Sequence, residues 1–431
     1  MSGQPRALVI GGSVGGLFAA HLLRSIGWDV VVFERSGDDL ARRGAGIGAG
    51  EALFAVMRRI AVVPFDASNG IALRSRVWLE PSGNVAAELP FHGRHVATAS
   101  ARLYQALKGA LPGGCCCFNR TLVHIEQRAD QVTAIFADGS SAAGSLLIAA
   151  DGMYSTVRQQ LLPKVVPRYA GYVCWRGVLE EADIPSSVRS RLFDRQTFCF
   201  PARELFLGMP NPGVNQDIIP GRRRYYFVWY RPADYENTLL DLCTDVTGRQ
   251  HGVAIPPPLI RPEFISGLKA SAGSLLAPQM AAVVAQTKQP LLQAVFDLES
   301  PQLTFGRVVL LGDAAFVARP HVVAGVTKAA LDAQYLVDAL LAAGHDIEPA
   351  LARYDTERRR FGGRLVARAR HLGTYLEAYP MQIEEERRQA HATRDYKAFM
   401  RDYGGAPELI SNDVERERAK NWDGNATSVH N

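Results

Sequence analysis

The sequence predicts an α/β fold: a parallel-sheet domain, interrupted by an inserted antiparallel β-sheet and followed by a helical, polar C-terminal tail. Three observations predict it. An apolar run at residues 7–10 leads into Gly11-Gly12-Ser13-Val14-Gly15-Gly16. Two later apolar runs, at 146–150 and 308–311, end in Asp151-Gly152 and Gly312-Asp313. Between them, short segments of strand-like composition are separated by Gly, Pro and Asn, which reads as an antiparallel sheet.

The first element carries the most information. Ala7-Leu8-Val9-Ile10 has the continuous apolar character of a strand buried on both faces. The glycine turn follows, then Leu17-Phe18-Ala19-Ala20-His21-Leu22-Leu23 as a helix stopped near Gly27, then a second strand at 29–33 ending in Glu34 and Arg35. Strand, glycine turn, helix, strand and acid form the Rossmann-like dinucleotide-binding arrangement. Gly11 permits the tight turn, Gly16 lets the helix approach the strand, and the helix N-terminus offers N–H groups to a pyrophosphate. Glu34, 18 residues beyond Gly16, stands where a carboxylate accepts from an adenosine ribose. Ser13 replaces the middle glycine of the GxGxxG pattern, and serine is small enough for close approach. This motif alone does not separate FAD from NAD. The Asp-Gly and Gly-Asp turns each put a carboxylate and a flexible residue at the carboxyl edge of a strand, where α/β sheets bind ligands.

Taken together, the three turns resemble the FAD-dependent aromatic hydroxylases related to para-hydroxybenzoate hydroxylase, over most of residues 5–370. The resemblance implies an FAD-binding domain of the GR2 type. Gly11, Ser13, Gly16 and Glu34 would hold the AMP half of FAD, Gly312 and Asp313 the ribityl chain and pyrophosphate. Asp151, Gly152 and Arg158 would serve both FAD and a passing NADH or NADPH. Arg102, in Ser100-Ala101-Arg102-Leu103, matches the family arginine that reaches FAD from a helix start; a structural salt bridge is its other reading. Arg43-Gly44-Ala45-Gly46-Ile47 looks like the mobile flavin-contacting loop, with a plain flexible turn as the alternative. Pro320 and Gly325 match a family pattern that opens a helix toward the flavin, Val326 and Thr327 following; Thr327 stands where asparagine is usual and Ala324 where glutamine is common. Such a helix would point its positive end at the flavin pyrimidine oxygen. His321 after the proline, with Cys174-Trp175-Arg176-Gly177, most resembles the dihydroxypyridine hydroxylases.

The chemistry so implied is reduction of the flavin by a nicotinamide nucleotide, addition of oxygen at flavin C4a, and its transfer to an electron-rich ring shielded from water. The partners are then a small aromatic or pyridine substrate and O2. His321 is the candidate for hydrogen bonding or deprotonating a ring hydroxyl, with Pro320 beside it; a structurally bonded or solvent-facing histidine is the alternative. Alternation along Tyr225-Tyr226-Phe227-Val228-Trp229-Tyr230 places Tyr226 and Tyr230 on one face, a wall for a flat ring or simply a sheet core. Other strands are expected at 197–200 and 204–209. Other functions remain open at this stage: a flavin oxidoreductase without oxygen insertion, or a flavoprotein that sequesters an aromatic ligand.

Domain boundaries follow from these motifs: 1–70, 95–165 and 290–371 for FAD, 71–94 and 166–289 for the substrate domain, 372–431 for the tail. A chain of 431 residues exceeds one ordinary core. Its net charge of +5, from 48 basic and 43 acidic residues, is too dispersed for a nucleic-acid surface. Arg222-Arg223-Arg224 reads as a solvated loop or a weak anion site. No apolar run reaches the roughly 18 residues of a membrane span, and no signal peptide precedes the first strand. Six cysteines without paired metal spacing are read as reduced, which points to the cytoplasm. A long apolar helix is expected at 329–343. The arginines of 350–371 are expected on a solvated helix face. Residues 384–431 are expected as a loosely packed tail or one that wraps a second subunit, compatible with a homodimer.

Overall fold

The computed structural model describes residues 4–37, 46–60, 67–91, 94–378 and 395–404. Its first layer is a six-stranded sheet in the order Thr304–Phe305, Val308–Leu310, Leu146–Ala149, Arg6–Ile10, Asp29–Phe33, Cys116–Cys117. The register aligns Ile10 with Ala149 and Ala149 with Leu310 across parallel neighbours. Three strands far apart in sequence therefore end side by side, and whatever follows each of them meets at one edge. The strands are apolar because both faces are covered. Helices Val14–Ser25 and Gly325–Ala342 approach each other closely enough that a methyl on Gly15 would lie 3.4 Å from the Ala329 Cβ.

The second layer is an eight-stranded sheet. Its order is Phe316–Val317, Leu291–Glu299, Arg168–Glu180, Arg224–Pro232, Leu205–Asn211, Arg195–Cys199, Ser75–Leu79, Val85–Pro90. The strands expected at 197–200, 204–209 and 225–230 fall inside it. The expected boundary at 289/290 sets Leu291–Glu299 with the FAD domain, whereas this strand is hydrogen-bonded into the large sheet against Arg168–Glu180.

The two faces of this sheet sort its aromatics. Tyr225, Phe227 and Trp229 join Trp175 and Phe206 in a second core beneath helices Pro262–Leu275 and Pro278–Gln286. Tyr226, Val228 and Tyr230 belong to the main core, facing the parallel-sheet domain. The alternation read from the sequence is thus real and separates a purely structural face from one that borders the site.

Three expectations are corrected by long-range pairing. Within helix Ile347–Gly373, Arg358 is not on a solvated face: it is buried against Asp332. Of the three arginines read as a solvated loop, Arg222 is exposed as expected, whereas Arg223 and Arg224 pair with Glu181 and Glu180. Residues 395–404 are not loose: helix Tyr396–Asp402 buries Phe399 and Met400, Tyr403 is buried beyond it, and Arg368 reaches Asp402 at 3.1 Å. All six cysteines are free thiols, and four of them are buried.

Candidate active site

The turn after Ile10 takes Gly11 to φ +107°, where a side chain would stand 2.3 Å from the Ala150 carbonyl oxygen. Only glycine fits there. Ser13 then caps helix Val14–Ser25 without any side-chain capping bond. The first N–H groups of that helix thus have no side-chain acceptor and point out of the turn, the arrangement that suits a phosphate. Glu34 is 7% exposed. Its carboxylate accepts from the Gly12 N–H and the Ser36 N–H, each at 2.8 Å, which fixes its position while leaving lone pairs on both oxygens for a further donor.

The Asp-Gly turn lies alongside. One Asp151 oxygen accepts from the Val157 N–H at 3.4 Å, while Oδ1 is buried with no partner. Burial dominates its electrostatics and raises its pKa, against bonds from Ser155 and the following backbone N–H groups. An orphaned buried acceptor of this kind fits a ligand hydroxyl. Arg158 serves differently from the expectation of a cofactor contact. It is fully buried and donates to the carbonyls of Met153 and, at 3.0 Å, Ala314, so it stitches the Asp-Gly turn to the Gly-Asp turn.

The third turn is braced from below. Asp332 accepts from the Gly312 N–H at 3.1 Å and from Arg358 Nε at 2.7 Å. Lys328, only 1% exposed, donates to Asp313 at 2.6 Å and to the Phe316 carbonyl. Val323 holds φ +50° at the start of this segment, a strained value for a β-branched residue and one that clusters at functional sites.

These turns enclose two connected spaces. The first, about 310 Å³, is lined by Gly11, Ser13, Glu34, Arg35, Asp151 and Gly152 among others. The second, about 510 Å³, is bordered by Gly46, Ile47, Tyr226, Tyr230, Gly312, Asp313, Pro320, Gly325 and Val326. Ser13, Val14, Ser100, Ala150 and Gly152 line both, so the nucleotide cleft runs into the second cavity. Arg43, Gly44 and Ala45 of the glycine loop lie outside the described residues. Gly16, Arg102, Arg158, Thr327 and His321 line neither space. Gly16 acts by packing: a methyl there would meet the Gly11 carbonyl oxygen at 1.9 Å. Arg102 donates to the Gln216 carbonyl at 2.9 Å and so ties the two domains together.

His321 is the chief correction. It is fully buried, with Nε2 2.7 Å from the Tyr172 hydroxyl and its ring 4.8 Å from that of Tyr230. Burial, and then the nearby Arg319 charge, depress its pKa to about 3. A group so placed stays neutral behind the Tyr230 wall and borders neither cavity. The sign of its contribution to stability follows. The unfolded chain takes up a proton near pH 6.5 and the folded one only near 3, so stability is present above 6.5 and falls as pH drops between these values. Each pH unit costs about 1.4 kcal/mol per proton. A His321→Gln variant is expected to flatten the acid limb of a stability-versus-pH profile by about one proton; an unchanged slope would show that this ring is not the group responsible.

The tyrosines on the wall are equally unsuited to act as bases. Burial pushes Tyr226 up to about 12 and Tyr230 well above its ordinary value, so both remain neutral phenols. Tyr403, from the C-terminal segment, completes this wall, and the Gly404 N–H donates to the His321 carbonyl at 2.9 Å.

A phosphate-ready helix N-terminus, a positioned ribose acid and a second cavity against a separate sheet define a two-domain flavin enzyme. The residues fit FAD, through the orphaned Asp151 oxygen and the close-packed glycine turn, and the family matches agree: residues 275–369 match the FAD binding domain family, and residues 169–297 an FAD binding domain-like family. The chain is 30% identical over 378 residues to 2,6-dihydroxypyridine 3-monooxygenase of Paenarthrobacter nicotinovorans, covering 86% of this chain and 91% of that protein. It is 27% identical to 6-hydroxynicotinate 3-monooxygenase of Pseudomonas fluorescens, over 87% of this chain and 93% of that one. The structure of 2,6-dihydroxypyridine-3-hydroxylase from Arthrobacter nicotinovorans superposes with a TM-score of 0.79 at 28% identity, covering 87% and 93% of the two chains. This chain belongs to the FAD-dependent aromatic hydroxylases, the single-component flavoprotein monooxygenases. No helix among the described residues is long and apolar enough to cross a membrane.

Sequence reasoning missed four side chains: Lys328, the Asp332–Arg358 pair and Tyr403. Only the spacing of Lys328 and Asp332, four apart on a helix opening at the flavin loop, offered a signal.

Proposed function

We propose that this enzyme hydroxylates an electron-rich hydroxypyridine or a ring of similar size, with NADH or NADPH as reductant. The observation that carries the reading is the second cavity. It is a space of about 510 Å³, walled on the sheet side by Tyr226, Val228, Tyr230, Leu207 and Met209 and continuous with the FAD cleft. Gly312, Asp313 and Gly325 border the same space, so the flavin ring takes part of it and the remainder suits one small flat ring. Relatives matched over most of their length, named as monooxygenases of 2,6-dihydroxypyridine and 6-hydroxynicotinate, support the choice of ring.

Bound FAD supplies the redox chemistry, taking electrons from the nicotinamide nucleotide and activating O2. The chain's own residues do the rest. Ser13 and the helix N-terminus behind it receive the pyrophosphate, and Glu34 the adenosine ribose. Asp151 and Asp313 accept hydrogen bonds from cofactor hydroxyls, a role supported by the partnerless Asp151 Oδ1. The helix Gly325–Ala342 has no side-chain cap, and its N-terminal residues border the cavity, so its positive end is available to charge on the reduced flavin. The apolar wall excludes water from the ring. Neutral Tyr226 and Tyr230 hydroxyls orient ring substituents by hydrogen bonding rather than by removing protons.

The expected result with purified yellow protein is consumption of NADH or NADPH stimulated by 2,6-dihydroxypyridine or 6-hydroxynicotinate, with a product heavier by one oxygen atom. Stimulated consumption without any oxygenated product, across hydroxypyridines and phenols, would remove the hydroxylase reading in favour of an oxidoreductase without oxygen insertion.

A further inference from the structure

Three cations border the ring cavity: Arg176, Arg319 and Lys328. Arg319 is held by Asp297 at 2.8 Å and Lys328 by Asp313 at 2.6 Å. Arg176 has no carboxylate partner among the described residues, and its Nε is buried without any hydrogen-bond partner. Its only polar side-chain neighbour on the same strand is the buried thiol of Cys174. A guanidinium left this way in a protein interior is costly unless an anion completes it.

The register shows where that anion would sit. Arg176 lies opposite Val228, so Tyr226 and Tyr230 flank it on the neighbouring strand and all three face the cavity. Leu207 and Met209 continue the same face as an apolar wall, and Gln196 and Gln293 add neutral amides. Among the described residues, the cavity thus has one guanidinium without a carboxylate partner, the other charged groups on it being already paired and the rest of its lining apolar or neutral. Asp313, the only carboxylate bordering it among the described residues, is already committed to Lys328. Among the described residues the site also offers no base: His321 is sealed behind Tyr230, and the two tyrosines are neutral. A site that cannot take a proton from a ring hydroxyl can still favour a ring that has already lost one.

We propose that Arg176 is the anion receptor of the ring cavity: its guanidinium pairs with a planar oxyanion of the substrate, either an ionised ring hydroxyl or a ring carboxylate, and so admits the electron-rich form. This deepens the hydroxypyridine reading and rests on it for the identity of the ring. Two coplanar donors on arginine match such an oxygen pair, or one oxygen approached from two N–H groups, where a lysine would offer only a point charge.

The test measures dissociation constants from ligand-induced changes in the flavin spectrum of the FAD-loaded protein. The ligands are 2,6-dihydroxypyridine, 6-hydroxynicotinate, 4-hydroxybenzoate and the uncharged 2,6-dimethoxypyridine. Arg176→Gln is expected to weaken the anionic ligands by about 10- to 100-fold while leaving 2,6-dimethoxypyridine within a factor of two. Arg176→Lys is expected to recover part of the loss. Weakening confined to the two carboxylates assigns the carboxylate as the recognised group, and weakening of 2,6-dihydroxypyridine as well assigns the ring oxyanion. Binding of 4-hydroxybenzoate alone, with the same dependence on Arg176, keeps the receptor and removes the pyridine. Equal weakening of the uncharged ring, or no weakening of any anion that the wild type binds, overturns the proposal, as does a wild type that binds none of the anions.

Discussion

A Gly16→Val variant is expected to purify colourless. The methyl of alanine alone would stand 1.9 Å from the Gly11 carbonyl oxygen and 3.1 Å from Val9 Cγ1, and valine adds two more carbons to that collision. Backbone cannot yield there as a flexible side chain would. The helix Val14–Ser25 must lift from strand Arg6–Ile10, and with it the N–H groups that face the phosphates. Overpacking of this kind costs about 1–3 kcal/mol in stability. The same displacement applied to the cofactor clasp corresponds to about 10- to 100-fold in FAD affinity for alanine and more for valine. Flavin fluorescence released on titration with FAD measures it. A yellow Gly16→Val protein with wild-type affinity would show that the turn does not hold the nucleotide.

An Asp332→Ala variant is expected to lose about 3–5 kcal/mol of stability, because it leaves the Arg358 guanidinium buried without its carboxylate. Asp332 is fully buried and Arg358 is 6% exposed, so water does not readily replace the missing partner. The loss should extend to the cofactor, since Asp332 also accepts from the Gly312 N–H and that turn lines the ring cavity. Replacing both members, Asp332→Leu with Arg358→Met, is expected to restore most of the thermal midpoint but not the FAD affinity, which separates the burial penalty from the bracing of the turn. Thermal unfolding of FAD-free protein together with FAD titration distinguishes the two. A single Asp332→Ala variant within 1 kcal/mol of wild type would mean that the pair contributes little.

What could be read from the sequence divides along a physical line. The glycine turn, Glu34, Asp151-Gly152 and Gly312-Asp313 are local signatures at strand ends, and a parallel sheet brings strand ends together whatever lies between them. The face occupied by Tyr226 and Tyr230 was legible for the same reason, since a strand alternates with a period of two. The roles that escaped depend on partners far away in the chain. Arg358 has the same periodicity whether it faces water or Asp332. Arg158 and Arg102 sit in motifs that suggest cofactor contact, yet their guanidinium groups end on carbonyls of Met153, Ala314 and Gln216. His321 has the right neighbours in sequence and the wrong side of the wall in space. Arg176 was visible only as one letter in Trp175-Arg176-Gly177, because the significance of a charge on a strand lies in what fails to pair with it.

Tyr403 and Gly404 make the enclosure of the substrate chamber depend on a stretch of chain far beyond the parallel sheet. The Gly404 N–H holds the His321 carbonyl, and the Tyr403 ring supplies part of the lining. A chain cut short of this stretch would keep every flavin turn in its sequence and lose one side of the space meant for the ring.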